Sequence, residues 1–177
     1  MKNKLSFFNS KYFYYIEEYH LVVLDTTKKF IRIESSYETG QRAFSTFEIR
    51  CFTKNNGDKI IVFSNYSGVP HLYQQDTILV FNYKYGKLEI SKIEYLPKVI
   101  GINDFVKPNT PASVRKKYSE FSNSCYELGY EGDNITYCLY DGDIILNNLD
   151  VSYLLGNAIE FVWNGEKFKR KNVTKVK

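Results

Sequence analysis

The sequence predicts a mainly β protein, built of antiparallel hairpin meanders in a sandwich or blade-like body, with one short helix near residues 111–121. The first observation behind this is a phrase written five times: an alternating apolar run, a turn of Asn, Asp, Gly or Lys, then a second alternating run. The clearest copies are Phe47–Phe63 around Asn56-Gly57, Ile78–Ile93 around Tyr85-Gly86 and Ile159–Val173 around Asn164-Gly165. Tight turns of this kind need positive φ, which Gly and Asn adopt cheaply, so the phrase reads as a hairpin. The second observation is the aromatic content: 16 Tyr and 13 Phe stand against one Trp and one Met. Such side chains suit a pleated, half-buried surface, and most are expected in the core. The third is size. A chain of 177 residues with 44% hydrophobic content can bury a core, which excludes global disorder and predicts one β-rich domain over 1–177.

Taken in order, residues 7–19 are densely aromatic and read as an opening strand. His20–Leu24 and Phe30–Glu34 form a hairpin through Asp25-Thr26-Thr27-Lys28. In the strand Phe44–Phe52, alternation puts Phe44, Thr46, Glu48, Arg50 and Phe52 on one face. Ala43, Ser45, Phe47, Ile49 and Cys51 lie on the other, which is expected to be the buried one. Lys59–Ser64 returns from the Asn56-Gly57 turn, and Asn65–Asp76 reads as a long polar loop. Thr77–Tyr83 and Lys87–Tyr95 form the next hairpin. The segments starting at Thr46 and Thr77 align at an offset of 31 positions, which suggests stacked meander units.

Pro97, Gly101, Pro108 and Pro111 punctuate 97–111, a candidate sub-boundary. The helix follows: Thr110 is placed to cap it, Pro111 suits its first position, and Val114, Tyr118 and Phe121 share a face. Strands Ile135–Tyr140 and Ile144–Asn147 flank Asp141-Gly142-Asp143, and the last hairpin closes through Trp163.

The net charge of +4 is unevenly placed. Six of the 24 basic residues (Lys167, Lys169, Arg170, Lys171, Lys175 and Lys177) fall in the last eleven positions, leaving 18 against 20 acidic residues elsewhere. The tail sets the basic balance; a solvated final strand is the reading adopted, and no nucleic-acid partner is expected. Cys51, Cys125 and Cys138 show no CxxC spacing, and either a Cys125–Cys138 bridge or three free thiols fits. No apolar stretch is long enough to span a bilayer as a helix. The N-terminus starts basic but is interrupted at Asn9, Ser10 and Lys11, so it does not read as a secretory signal.

The order Asn56-Gly57-Asp58-Lys59-Ile60-Ile61, then Val80-Phe81-Asn82-Tyr83-Lys84-Tyr85-Gly86-Lys87-Leu88, then Tyr95-Leu96-Pro97, then Trp163-Asn164-Gly165-Glu166-Lys167-Phe168 resembles a set of uncharacterised, mostly secreted or periplasmic proteins of Bacteroidetes. Their shared features are a dGskli turn, an fYxYkkGkL hairpin, an LP segment and a closing WnGkkF hairpin. The resemblance covers about residues 28–170. It implies a mainly β fold and an extracytoplasmic location, and it supplies no catalytic residues.

Chemistry-bearing constellations are sparse. The two histidines, His20 and His71, have no ligand-spaced neighbours, so no metal or cofactor is expected. Asp141-Gly142-Asp143 resembles the start of a calcium loop, but the apolar residues after it fit a hairpin turn better. No nucleophile elbow, P-loop or dinucleotide fingerprint is present. The reading drawn is a non-enzymatic binding or assembly module engaging a protein or glycan through the Asn65–Asp76 loop, with Tyr66, His71 and Tyr73 as binding residues. The alternatives are a cytoplasmic immunity-type inhibitor and a hydrolase whose site no motif marks.

Overall fold

The computed structural model describes residues 9–15, 18–37, 44–69, 72–98, 101–121, 123–140 and 150–174. Seven strands form the first sheet: β1 (Asn9–Tyr15), β2 (Glu18–Asp25), β3 (Phe30–Tyr37), β4 (Phe44–Thr53), β5 (Lys59–Val69), β6 (Leu72–Lys84) and β7 (Lys87–Ile90). They pair in chain order as an uninterrupted antiparallel meander. After a 3₁₀ turn at Gly101–Asp104 and the helix α1 (Ala112–Phe121) comes the second sheet. Its strands are β8 (Asn123–Leu128), β9 (Asn134–Tyr140), β10 (Ala158–Trp163) and β11 (Phe168–Thr174), ordered β11-β10-β9-β8. The predicted class, mainly antiparallel β with one short helix, is the observed one.

Local chemistry explains the punctuation. Tyr85 and Gly86 both take positive φ, 52° and 77°, the pair of left-handed residues that closes a two-residue hairpin without splaying it. Gly165, at φ 90°, also makes a long-range contact: its carbonyl accepts from Asn55 N at 3.0 Å, and a Cβ there would lie 1.9 Å from Asn55 Oδ1. Two turns distant in sequence therefore dock on each other, and only glycine fits between them. Trp163, on the strand before that turn, donates from Nε1 to Thr53 O at 2.8 Å and meets the rings of Phe52, Tyr95 and Phe168 at tilted or edge-on angles.

The helix follows its predicted pattern, with Tyr118 fully buried and Val114 packed against the core. Thr110 does something else than expected: its hydroxyl donates back to Lys107 O at 2.7 Å, while Arg115 binds the Lys107, Pro108 and Thr110 carbonyls. This ties the proline-rich segment to the helix. One core cluster joins both sheets, including Phe52, Ile60 and Val62 from the first and Ile135, Ile159 and Phe161 from the second. Burying each such side chain stabilises the fold by roughly 1.5–3 kcal/mol.

Three expectations are corrected. The aromatic segment 7–19 is not one strand, since β1 ends at Tyr15 and β2 begins at Glu18. The polar segment Asn65–Asp76 is not a loop: β5 continues to Val69 and β6 starts at Leu72, with a register shift between Asn65 and Tyr66 absorbing one residue. Polar composition misled there, because this part of the strands serves the interior.

The third correction concerns the faces of β4. Thr46, Glu48, Arg50 and Phe52 are the buried side, and Ser45, Phe47, Ile49 and Cys51 face away from the core, half-buried or exposed. The cross-strand register extends this inversion across the sheet. An apolar row Leu24, Ile31, Ile49, Phe63 and Leu79 crosses the outer face, flanked by Val22, Ile33 and Phe47 on one side and Cys51, Ile61, Phe81 and Ile90 on the other. None of these twelve is fully buried. The 31-position offset also fails to relate equivalent residues, since Thr46 points inward while Thr77, opposite Asn65, points outward.

Candidate functional site

The inward side of β3–β6 is polar for half its length because of what lies on it. Strand β8 is the open edge of the second sheet, and it is laid on the first. Every second residue of an edge strand aims its N–H and C=O away from its neighbour, and burying those groups without partners costs several kcal/mol. Side chains of the large sheet supply the partners. Glu48 Oε2 accepts from Leu128 N at 2.6 Å, Gln75 Oε1 from Tyr126 N at 2.6 Å, and Ser64 Oγ donates to Tyr126 O at 2.6 Å. Gln75 Nε2 in turn donates to Asn65 O, Thr77 O and Ser64 Oγ, which fixes its amide. A seam of side chains thus replaces a missing strand.

Glu48 is the centre of this seam, with 1% of its surface exposed. Burial pushes its carboxyl up to about 7, against the hydrogen bond from Leu128 N and the nearby Arg32, which both favour the charged form. Arg32 stands directly opposite on β3, with one guanidinium nitrogen 3.5 Å from Glu48 and the other 2.8 Å from Glu34. Burial pushes the Tyr66 hydroxyl upward, and the Glu48 carboxylate adds to the shift. Arg32 Nε and Thr46 Oγ1 are buried with no hydrogen-bond partner among the described residues.

Beside the seam the first sheet extends past β8, and a cleft of about 530 Å³ opens. Leu21, Val23, Phe30 and Leu128 give it apolar walls; Arg32, Glu34, Glu48 and Glu127 line its polar side. The remaining boundary is the β8–β9 connection, which is firmly held. Tyr130 donates to Asp25 Oδ2 at 2.7 Å, meets the Phe30 ring edge-on at 5.5 Å and lies under Lys28 Nζ at 3.9 Å. Asp25 also accepts from Thr27 and Lys28 N, and these hydrogen bonds hold its carboxyl below the usual carboxylate range. Arg50 binds the Gly132 and Asn134 carbonyls from the floor. Tyr130 also lines a second hollow of about 500 Å³, whose walls include Thr27, Arg50, Thr53 and Asp133.

Of the residues chosen from sequence, Tyr66 is 2% exposed on β5, opposite Thr46 and Gln75 and inside the seam. Tyr73 sits on β6 opposite Gly68, and His71 lies outside the described residues. Tyr66 and Tyr73 therefore lie on two paired strands rather than on one loop. Glu48, Arg32 and Gln75 were missed. A signal existed: Arg32-x-Glu34 and Glu48-x-Arg50 are complementary patterns on consecutive strands, and pairing them would have set Arg32 against Glu48. No disulfide joins Cys51, Cys125 and Cys138, and burial pushes the thiols of Cys51 and Cys138 upward. Cys125 and Cys138 are direct cross-strand neighbours. Asp141-Gly142-Asp143 falls outside the described residues. Among the described residues no group of three or more His, Cys, Asp or Glu is placed to hold a metal ion, and no helix is long and apolar enough to cross a membrane.

No family model matches the chain, and no curated protein does. Among solved structures, a domain of an uncharacterized protein from Porphyromonas gingivalis W83 superimposes with a TM-score of 0.63 at 16% identity, over 93% of this chain and 80% of that one. At that identity the likeness concerns the fold alone. It agrees with the resemblance to uncharacterised Bacteroidetes proteins.

Proposed function

We propose that the chain is a non-catalytic binding module whose cleft beside β8 takes a small molecule with an apolar body and a basic head. The observation that carries this reading is the cleft itself: about 530 Å³, apolar on Leu21, Val23, Phe30 and Leu128, with Glu48 at its polar side. Ligand sites typically run from roughly 300 to 1,000 Å³, mostly apolar with a few converging polar groups, and a carboxyl shifted by burial often marks one. Three carboxyl groups against one guanidinium favour a cation over an anion. Glu48 adds to the acidic character of the cleft rather than transferring a proton in this reading, because it is buried, with one oxygen committed to Leu128 N and the other facing Arg32. The held-up thiols of Cys51 and Cys138 are poor nucleophiles at neutral pH.

The test is calorimetric titration of the full chain with hexylamine, hexanol and hexanoate. The amine is expected to bind saturably and best, and Val23→Arg, which fills the cleft from β2, is expected to abolish that binding while leaving the Trp163 fluorescence of the folded core. Absence of saturable binding by all three probes, or preference for hexanoate, overturns the reading.

A further inference from the structure

We infer that Cys125 and Cys138 are a disulfide site: when the chain folds in the presence of a small-molecule disulfide, they are joined across β8 and β9, and the bridge braces one wall of the cleft. The register carries this. Cys125 on β8 stands directly opposite Cys138 on β9. Tyr126 N and Leu128 N turn away from β9 toward Gln75 and Glu48, so the alternate residues, Cys125 and Glu127, aim their backbone groups at β9. Cys125 and Cys138 therefore form a hydrogen-bonded pair, whose Cα atoms lie about 5.5 Å apart, inside the roughly 4.4–6.8 Å that a disulfide spans. Opposed Cβ atoms in a sheet lie about 4.5–5.5 Å apart and a disulfide needs about 3.5–4.5 Å, so closure draws the strands together by up to about 1 Å. Strand β8 can make that shift, because only one of its sides is tied to another strand. The third cysteine is excluded by the fold. Cys51 faces the outer side of the large sheet and β8 lies on the inner side, so the sheet stands between them.

The next pair along the same face is Glu127 opposite Thr136, and both line the cleft. A bridge beside them fixes the spacing of the two strands that form this wall, whatever ligand the cleft takes. Burial decides when it forms. Cys125 is 0% exposed, and burial, with Glu127 and Cys125 close by, pushes the Cys138 thiol upward. The folded chain therefore offers an oxidant neither an accessible sulfur nor a ready thiolate. Exchange belongs to the folding chain. One cysteine thiolate attacks the small disulfide and expels a thiol; the other then attacks the cysteine sulfur of the mixed disulfide and expels a second thiol. Two cysteine thiols and one small disulfide thus become one protein disulfide and two small thiols. Once β8 docks, the same burial shields the bridge from reductants.

To test this, the full chain is reduced and unfolded in guanidinium chloride, then refolded either with oxidised and reduced glutathione together or with reduced glutathione alone. From the mixture, thiol titration of the denatured product is expected to find one of the 3 cysteines, and peptide mapping to link Cys125 to Cys138. That product is expected to show an unfolding equilibrium constant about tenfold or more below that of the reduced one, in urea denaturation followed by Trp163 fluorescence. Cys125→Ala with Cys138→Ala is expected to be equally stable from both buffers. Should that variant not fold, Cys51→Ala, which leaves the pair intact, is expected to lose both of its thiols in the mixture. Thiols that all survive refolding in the mixture, or a bridge that includes Cys51, overturn the inference. So does a product that ends as the glutathione adduct, or a bridged form no more stable than the reduced one. A folded, reduced chain that is oxidised as fast as a refolding one overturns the assignment of the exchange to folding.

Discussion

The two faces of the seven-stranded sheet invert the usual arrangement. The face turned to the interior carries Arg32, Glu48, Ser64 and Gln75, while the face turned away carries Leu24, Ile31, Ile49, Phe63 and Leu79. The difference teaches that inward and outward are decided by what must be satisfied there, not by hydropathy alone. An edge strand buried against a sheet demands donors and acceptors, and β8 receives them from Glu48, Ser64 and Gln75. Among the described residues the outer face has no such guest, and its central rows are apolar.

If this is right, polar substitutions on the inner face cost more than apolar ones on the outer face. The largest effect is expected at Glu48. Glu48→Ala removes the acceptor for Leu128 N and opens a void opposite Arg32, so about 4 kcal/mol of stability is lost near pH 5, where the native carboxyl is neutral. Urea denaturation followed by Trp163 fluorescence measures it. A loss below about 1 kcal/mol, ordinary for surface positions, would show that the seam carries no structural weight.

The same residue gives the sheet a pH dependence with a definite sign. Its carboxyl titrates at about 7 when folded against an ordinary 4.5, so between those values the folded form holds a proton that the unfolded form has released. That contribution is fully present below about 4.5 and is lost as the pH rises through about 7, a decline of about 3 kcal/mol. Glu48→Gln, which cannot ionise, is expected to flatten this part of the stability profile. Asp25, held in the opposite direction, contributes stability that disappears on acidification, so the slope must be read as the difference between wild type and variant.

How much of this was visible beforehand differs between the backbone and the site. The turns at Asn56-Gly57, Tyr85-Gly86 and Asn164-Gly165 were legible because positive φ is a local demand, met by the residues that occupy it. The helix was legible for a similar reason, its apolar spacing lying within three turns. The faces were not. Alternation separates the side of Glu48 from the side of Ile49, but choosing between them requires knowing that β8, some eighty residues later, lays its edge on one. Tyr66 illustrates the point: as part of a polar segment it read as exposed, whereas the strand continues and buries it. Cross-strand charge matching between β3 and β4 was the one clue to the seam within reach of the sequence.

Gln75 separates the hydrogen-bonding role of the seam from its electrostatics, being neutral. Gln75→Leu keeps approximate size but leaves Tyr126 N unpaired and removes the donor shared by Asn65 O, Thr77 O and Ser64. A loss of about 2 kcal/mol is expected, independent of pH between the two values that bracket Glu48. A loss that varied with pH as the Glu48 contribution does would mean that the two residues act as one ionising unit rather than as separate partners of β8.

The smallest effect is expected where hydropathy alone would place the largest. Phe47 is 37% exposed on the outer face, and Phe47→Thr should cost under about 1 kcal/mol in urea denaturation followed by Trp163 fluorescence. A loss of several kcal/mol would instead mean that Phe47 supports the fold from within, and the contrast between the two faces would fall at the residue where it is easiest to measure.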